Sequence, residues 1–275
     1  MVTRIITGIV GIALAAFVIQ TGGWVFAAVV LLLSLIGWHE FARAFAHNGQ
    51  PASYFTGMIA LIFMLGCAWM GSSDEFMAVA TLTMLLVFAE AVLFHGRFSV
   101  ESACISAAGI FYVGFAFSHL LLLRFWQDSQ MLSSPVGDLS YGCALIWIMF
   151  LGTWSSDTFA YFTGSLLGRH KLCPSISPNK TVEGFLGGLI GTTAVVAALG
   201  MLLSLSLPHM AALGVCIALI ATLGDLVESV IKRYTGIKDS GSIIPGHGGV
   251  LDRFDSVMFT APFVYYFVQI IHLAG

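Results

Sequence analysis

The sequence predicts an all-α fold, a polytopic transmembrane helical bundle of about nine spans, and both its composition and its hydrophobic runs carry that prediction. Of the 275 residues, 58% are hydrophobic and only 9% are charged, whereas a soluble domain carries about 25% charged residues. So few charges cannot cover so much apolar surface in water. Lipid must therefore form part of the solvent, and in lipid a helix satisfies its own backbone polar groups.

Hydrophobic runs recur along the whole chain, and each is long enough, or nearly so, to cross ~30 Å of hydrocarbon as a helix. The first run follows Arg4 but has no convincing small-residue cleavage site, so we expect a retained helix rather than a signal peptide. Glycines between residues 184 and 191 would let neighbouring helices pack closely in lipid. The predicted runs cover about residues 4–20, 24–44, 54–71, 75–94, 102–124, 140–166, 184–206, 209–233 and 252–273.

The charges between the runs predict how the bundle is oriented. If the N-terminus is cytoplasmic and the runs alternate in direction, all of the 11 Lys and Arg residues except Arg124 lie at cytoplasmic ends. This positive-inside asymmetry predicts an odd number of spans, a cytoplasmic N-terminus and a C-terminus on the opposite side. It also places the two long polar loops, about 167–183 and 234–251, in the compartment that contains nucleotides.

The two halves of the chain differ in polarity. Residues 1–150 are mostly hydrophobic runs with short connections, and we expect them to form a scaffold with dimer or lipid contacts. Residues 151–275 hold the polar motifs and are expected to carry the catalytic site. Glu40 and Glu90 lie isolated in the second and fourth runs and have no predicted role. The five cysteines are scattered without metal-ligand spacing, so no disulfide is expected.

The first polar motif, residues 224–233, ends the eighth run. On a helix Asp225, Ser229 and Lys232 share one face, since they lie four and three residues apart, and Glu228 lies beside them. An ionisable group at membrane depth is costly unless it is paired or faces water, which makes it a functional candidate. An ion pair between Glu228 and Lys232 is the alternative. Because that pair would leave Asp225 without a local partner, we expect Asp225 to be functional.

The second polar motif is the loop from Lys238 to Ser256. Its glycines leave backbone amides free to approach an anion closely. Asp252 and Asp255 are predicted to open the ninth helix on one face, three residues apart. Acids at a helix start are also ordinary partners of the helix dipole. That alternative explains one of the two acids, but not both together with Arg253 and His247. The glycines are Gly241, Gly246, Gly248 and Gly249.

Asp225 and Asp252 end one run and begin the next, so they are predicted to lie on the same side of the membrane, where they can converge. Mg²⁺ prefers hard oxygen ligands and takes few of them from protein, the rest coming from water and phosphates. Two carboxylates beside a polyphosphate therefore predict a Mg²⁺ site that neutralises charge on a transferring phosphoryl group.

The third polar motif covers residues 157–184. Ser177 followed by Pro178 predicts a helix N-cap with proline at the first helical position. A helix N-terminus beside Lys180 and Thr181 would be a natural seat for phosphate. Two further basic residues could add phosphate contacts, or could be no more than the positive-inside signal. These residues are Arg169 and Lys171.

Together the motifs resemble those of the phosphatidate cytidylyltransferase (CDP-diacylglycerol synthase) family. Its signature reads Ser-x-apolar-Lys-Arg, four residues, Lys-Asp, then Pro-x-His-Gly-Gly-apolar-x-Asp-Arg-x-Asp. The Ser-Pro-x-Lys-Thr-x-Glu-Gly at 177–184 and the Gly-Asp-Leu-x-Glu-Ser at 224–229 are also similar to that family's motifs, and the resemblance is densest over about 150–260. The signature positions are filled by Ser229, Lys232, Arg233, Lys238, Asp239, Pro245, His247, Gly248, Gly249, Asp252, Arg253 and Asp255.

The resemblance implies a nine-span homodimer in the plasma (inner) membrane, with a metal-dependent site that faces the cytoplasm. The implied reaction converts CTP and phosphatidic acid to CDP-diacylglycerol and pyrophosphate. By this resemblance Asp225 and Asp252 bind Mg²⁺, and a second cation could accompany it. The expected catalytic residues are Asp225, Asp252, Lys232 and Asp255. The expected substrate-binding residues are Arg169, Lys171, Ser177, Lys180, Thr181, Glu228, Ser229, Arg233, Lys238, Asp239, His247, Gly248, Gly249 and Arg253.

Two other functions remain open from the sequence. A CTP-dependent lipid or polyprenol kinase would transfer the γ-phosphoryl group and release CDP instead of pyrophosphate. An ion-coupled transporter would also contain intramembrane acids, but it predicts polar residues along a path through both halves of the chain. The polar motifs here lie in the second half of the chain and are predicted to crowd one face of the membrane. No basic tail indicates a nucleic-acid partner.

Overall fold

The computed structural model describes residues 2–134, 137–246 and 248–274, and these residues are predominantly helical, as predicted. Each of the first eight hydrophobic runs coincides with one helix to within a few residues. The helices are α1 (Val2–Thr21), α2 (Gly23–His47), α3 (Tyr54–Met70), α4 (Ser73–Leu93), α5 (Val100–Arg124), α6 (Tyr141–Leu167), α7 (Val182–Leu202), α8 (Leu207–Thr235), α9 (Leu251–Phe254) and α10 (Val257–Ala274).

Two short antiparallel hairpins lie between the helices. β1 (Met131–Leu132) pairs with β2 (Leu139–Ser140). β3 (Lys171–Cys173) pairs with β4 (Ser177–Thr181), with Lys171 opposite Thr181 and Cys173 opposite Ser177. The second hairpin occupies the polar loop predicted before the seventh run.

Several helices are suited to a lipid environment. Within the described part of the chain, five helices are long and apolar enough to cross a membrane, namely α2, α4, α5, α7 and α8. Shorter apolar helices cover Ile6–Thr21, Tyr54–Met70 and Val257–Ile271. Large apolar side chains such as Phe55 and Leu166 are exposed, which a chain surrounded by lipid tolerates. The chain is thus a helical integral membrane protein, and nine spans remains a prediction.

The chain forms two compact units, each made of two segments. The first unit contains Met1–Leu122 and Ile231–Phe254. Its core includes the fully buried Trp38, whose indole N–H donates to the carbonyl oxygen of Tyr54 at 2.9 Å. A Cβ at Gly57 would lie 2.2 Å from the Trp38 ring, so only glycine lets α3 pass this close to α2.

The second unit contains Leu123–Val230 and Asp255–Gly275. Helices α6 and α7 pack closely there because glycines of α7 face side chains of α6. A Cβ at Gly191 would lie 2.2 Å from the Phe159 ring, and one at Gly187 would lie 2.2 Å from Thr163 Oγ1. The prediction that small residues in this run permit close helix packing is therefore confirmed.

The ninth predicted helix is broken at its start. Residues Leu251–Phe254 form the short α9, and α10 begins at Val257. Between them Asp255 Oδ1 accepts a hydrogen bond from the backbone N–H of Ser256 at 2.6 Å, a local bond that competes with helix formation. The expectation that Asp252 and Asp255 open one helix on one face is therefore wrong.

The N-cap of the seventh helix also differs from the prediction. Ser177 and Pro178 lie in strand β4, and α7 begins at Val182. Thr181 is the N-cap residue, and its Oγ1 accepts a hydrogen bond from the N–H of Gly184 at 3.1 Å. The prediction at Ser177 is wrong because the fixed φ of Pro178 fits an extended strand as well as a first helical turn.

Candidate active site

Asp252 lies at the centre of a polar cluster in the first unit. We call Lys232, Ser240, Gly249 and Asp252 the Asp252 cluster. Asp252 Oδ2 accepts three hydrogen bonds, from the N–H and the hydroxyl of Ser240 and from the N–H of Gly249, each at 2.8 Å. Its Oδ1 accepts a hydrogen bond from Lys232 Nζ at 2.9 Å. Four donors thus fix a buried carboxylate.

These donors decide the charge of Asp252. Burial raises the pKa of the carboxyl group, but the hydrogen bonds from Gly249, Lys232 and Ser240, with the positive charge of Lys232, outweigh burial and lower the pKa to about 2. Asp252 is therefore a carboxylate at neutral pH, in the form that could bind a cation.

The glycine loop closes directly onto this carboxylate. The N–H of Ile244 donates to the carbonyl oxygen of Gly248 at 3.0 Å, and these two residues form an isolated antiparallel bridge. Gly248 has a φ of +84°, and a Cβ there would lie 2.5 Å from Asp252 Oδ2. Glycine is needed at this position for both its backbone conformation and its size. The predicted site residue His247 lies outside the described residues.

Glu40 of α2 reaches the same loop, although the sequence analysis gave it no role. Its Oε1 accepts the N–H of Val250 at 3.0 Å, and its Oε2 accepts the N–H of Leu251 at 2.9 Å. Glu40 is buried. A usable signal was present in the sequence, because an acid inside a hydrophobic run without a local partner is the criterion that selected Asp225.

A second polar cluster lies in the second unit. We call Lys180, Asp225 and Ser229 the Asp225 cluster. Lys180 Nζ lies 2.6 Å from Asp225 Oδ2, and Ser229 Oγ lies 3.5 Å from Asp225 Oδ1. The partner that Asp225 lacked in its own helix is thus a lysine from strand β4. The structure brings together residues from two of the three motifs here.

Glu183 organises the hairpin that carries Lys180. Its carboxylate accepts the N–H of Arg169 at 3.0 Å and contacts His170 through both the backbone N–H and Nδ1, the latter at 2.6 Å. Glu183 lies in the first turn of α7. It therefore ties the start of the hairpin to the start of the helix, a role for which the sequence analysis did not single it out.

The remaining predicted site residues differ in exposure. Glu228 is buried, whereas the other residues of this set are exposed or half-buried. The exposed members are Arg169, Lys171, Arg233, Lys238, Asp239 and Arg253, and the half-buried members are Ser177, Lys180, Thr181, Asp225, Ser229, Lys232, Gly248 and Asp255. Asp225 and Asp252 belong to different units, and their convergence remains a prediction.

The residues present suit a cation that needs few protein ligands. Throughout the described ranges, no group of three or more His, Cys, Asp and Glu residues has the arrangement of a metal site. Mg²⁺ takes only one or two carboxylates and completes its shell with water and phosphate. Asp225 and Asp252 each provide hard oxygen atoms balanced by a lysine, which fits such an ion.

Comparison with known proteins gives matches over nearly the whole chain. The sequence matches the Cytidylyltransferase family over residues 2–271. It is 34% identical to the phosphatidate cytidylyltransferase of Synechocystis sp., over 98% of this chain and 96% of that protein. Identity is 31% to the enzyme of that name from Bacillus subtilis, over 98% of both chains, and 35% to that from Staphylococcus epidermidis, over 95% of this chain and 96% of the other. The chain therefore belongs to the cytidylyltransferase family.

Proposed function

We propose that this protein is a CTP:phosphatidate cytidylyltransferase, which converts CTP and phosphatidic acid to CDP-diacylglycerol and pyrophosphate. The observation that carries the proposal is the complete set of motif residues from Ser229 to Asp255 in a member of the cytidylyltransferase family. Relatives that bear the name phosphatidate cytidylyltransferase match this chain along almost its full length, which supports the same substrates here.

The reaction requires positioning more than proton transfer. A phosphate oxygen of phosphatidic acid forms a bond to the α-phosphorus of CTP, and the bond from that phosphorus to the bridging oxygen of the β-phosphate breaks. The electron pair of the broken bond leaves with pyrophosphate. Because the nucleophile is already an anion, no strong general base is needed, and catalysis depends on alignment and charge neutralisation.

Asp225 and Asp252 would hold Mg²⁺ in this proposal. When bound, Mg²⁺ neutralises the negative charge of the phosphates that react. Asp252 suits the role because its low pKa keeps it charged and three donors fix its Oδ2. Lys180 and Lys232 balance the two carboxylates, and in this proposal both would turn towards the substrate phosphates. Asp255 or Glu228 would support the site from outside the ligand set.

The remaining polar residues would bind the two substrates. We assign the phosphates of CTP to Lys232, Lys238, His247 and the glycines of residues 246–249. Basic residues of the hairpin and Arg253 would meet the phosphatidate headgroup or the triphosphate, while the acyl chains stay in the bilayer. The hairpin residues are Arg169, Lys171 and Lys180. The proposal includes nine spans, a homodimer and a site that faces the cytoplasm at the plasma membrane, as the charge pattern and the family resemblance indicate.

The experiment that tests the function identifies the leaving group. Purified protein is incubated with phosphatidic acid and CTP labelled in either the α- or the γ-phosphate, with Mg²⁺ or with a chelator. We expect the α-label in CDP-diacylglycerol and the γ-label in pyrophosphate, both only with Mg²⁺. Transfer of the γ-label to lipid with release of CDP would establish a lipid kinase instead, and absence of lipid product from either label would contradict the proposed function.

A further inference from the structure

We propose that Glu40 is a positioning residue for Asp252, because Glu40 holds the backbone of residues 248–252 in the shape that fixes the Asp252 carboxylate. The inference deepens the proposed function and rests on it, since it concerns the acid assigned to cation binding. It adds a residue from the first half of the chain, which the sequence analysis treated as a scaffold.

Both carboxylate oxygens of Glu40 are used by the backbone of this segment. Oε1 accepts the N–H of Val250 and Oε2 accepts the N–H of Leu251, at 3.0 and 2.9 Å. Two consecutive amides at the start of α9 are thus bound by one side chain that is only 4% exposed. A carboxyl side chain suits this arrangement, because an amide side chain would turn an N–H group towards one of the two donors.

The residues that Glu40 holds are next to those that hold Asp252. Gly249, which donates to Asp252 Oδ2, directly precedes Val250. The Ser240 hydroxyl lies between the two acids, 2.8 Å from Asp252 Oδ2 and 3.4 Å from Glu40 Oε2. A displacement of the 249–251 backbone would therefore remove the Gly249 donor from Asp252 and shift its carboxylate.

Two glycines make room for this acid. A Cβ at Gly241 would lie 2.2 Å from Glu40 Oε1, and one at Gly249 would lie 2.4 Å from it. Neither glycine has a positive φ, so the backbone conformation does not demand glycine at either position. The close approach of Glu40 does, and it accounts for two glycines of the motif without reference to a ligand.

The contacts define a positioning role rather than a catalytic one. Each oxygen of Glu40 is occupied by a protein N–H, and the side chain is buried. Partners that orient a metal-binding side chain typically change metal affinity or activity by about 10- to 100-fold when removed. Glu40 acts on Asp252 through the backbone N–H groups of Val250 and Leu251. Its removal should therefore alter the dependence of activity on the Mg²⁺ concentration.

The test compares Glu40→Gln with Glu90→Gln in the full-length protein. Glu90 is a matched control, since this other glutamate of the first unit accepts hydrogen bonds from the hydroxyls of Ser53 and Thr56 rather than from the N–H groups of Val250 and Leu251. For Glu40→Gln we expect an at least tenfold rise in the Mg²⁺ concentration for half-maximal activity, and faster amide hydrogen exchange in residues 248–252. Glu90→Gln should leave both unchanged at a comparable melting temperature.

Unchanged Mg²⁺ dependence and unchanged exchange in Glu40→Gln would overturn the inference. If that variant does not accumulate in membranes, Gly241→Ala tests the same contact by pushing one methyl group against Glu40, with Gly66→Ala as the control because nothing lies within 4 Å of its added Cβ. Gly241→Ala should show the same two changes, and wild-type behaviour would again overturn the inference. An inactive wild type contradicts the proposed function alone, because hydrogen exchange still reports whether Glu40 holds the segment.

Discussion

Asp225 and Asp252 carry the same charge and each is paired with a lysine, but their surroundings differ in burial. The side chain of Asp252 is 4% exposed and that of Asp225 is 31% exposed. Removal of the partner of a buried charge leaves that charge uncompensated and is costly, whereas a partly solvated charge is screened by water. The two pairs should therefore differ in their contribution to stability.

We predict that Lys232→Met lowers the free energy of unfolding by about 3 kcal/mol, and that Lys180→Met lowers it by at most about 1 kcal/mol. Both substitutions keep a similar side-chain length and remove the charge. Denaturant unfolding in detergent, followed by tryptophan fluorescence, measures the difference. Equal losses in the two variants would show that burial does not separate the two sites as described.

Residue-level prediction worked where a sequence pattern pointed to a side chain and failed where the contact is long-range. Asp225 was selected because it lacked a partner in its own helix, and Lys180 supplies one from β4. Glu40 met the same criterion but was given no role, and its partners, Val250 and Leu251, lie more than 200 residues away along the chain. The local sequence around residue 40 does not identify these distant backbone amides as its hydrogen-bond partners.

At the scale of elements, glycine spacing in α7 explains its close packing against α6. A Cβ at Gly191 would lie 2.2 Å from the ring of Phe159, which is closer than two non-bonded carbon atoms can approach. A Cβ at Gly66 of α3 meets nothing within 4 Å. The two positions therefore separate the cost of crowding from the benefit of a better helix former.

We predict that Gly191→Ala destabilises the protein by about 1–3 kcal/mol through overpacking. Gly66→Ala should be neutral or stabilise it by up to about 1 kcal/mol, since alanine favours helix over glycine. Melting temperatures of both variants in the same detergent test this. A Gly191→Ala variant as stable as Gly66→Ala would contradict the packing of α6 on α7.

The helices were largely predictable from hydrophobic runs, while their ends were not. The first eight runs match α1 to α8 because length and apolar composition alone define them. Two helix starts were misplaced. Pro178 is compatible with a strand or a helix start, and the bond between Asp255 and the Ser256 N–H breaks the ninth run where charge and hydropathy show no boundary.

At the scale of the whole molecule, composition was sufficient to predict a helical membrane protein. The orientation rests on the positive-inside pattern alone, and the motif loops belong to opposite ends of the second half of the sequence. Both loops must face the same compartment if they serve one site. The chain passes from one compact unit to the other after residues 122, 230 and 254. No feature of the hydropathy pattern indicates these boundaries.

We predict that single cysteines at positions 171 and 238, introduced after replacement of the five native cysteines, react with a membrane-impermeant thiol reagent only from the cytoplasmic side. Lys171 and Lys238 are exposed, so the label should reach both. A cysteine at Ser73, the first residue of α4, should react only from the opposite side. Labelling of positions 171 and 238 from different sides would contradict the predicted orientation.

The central claim is that Asp225 and Asp252 are both needed to hold one catalytic cation. Binding of Mn²⁺ in place of Mg²⁺, measured by electron paramagnetic resonance with CTP present, tests it most directly in the wild type, Asp225→Asn, Asp252→Asn and the control Glu75→Gln, whose carboxylate is exposed at the start of α4. The account predicts tight Mn²⁺ binding by the wild type and the control and at least a tenfold weaker affinity in each Asp variant. Wild-type Mn²⁺ affinity in either Asp variant would contradict it.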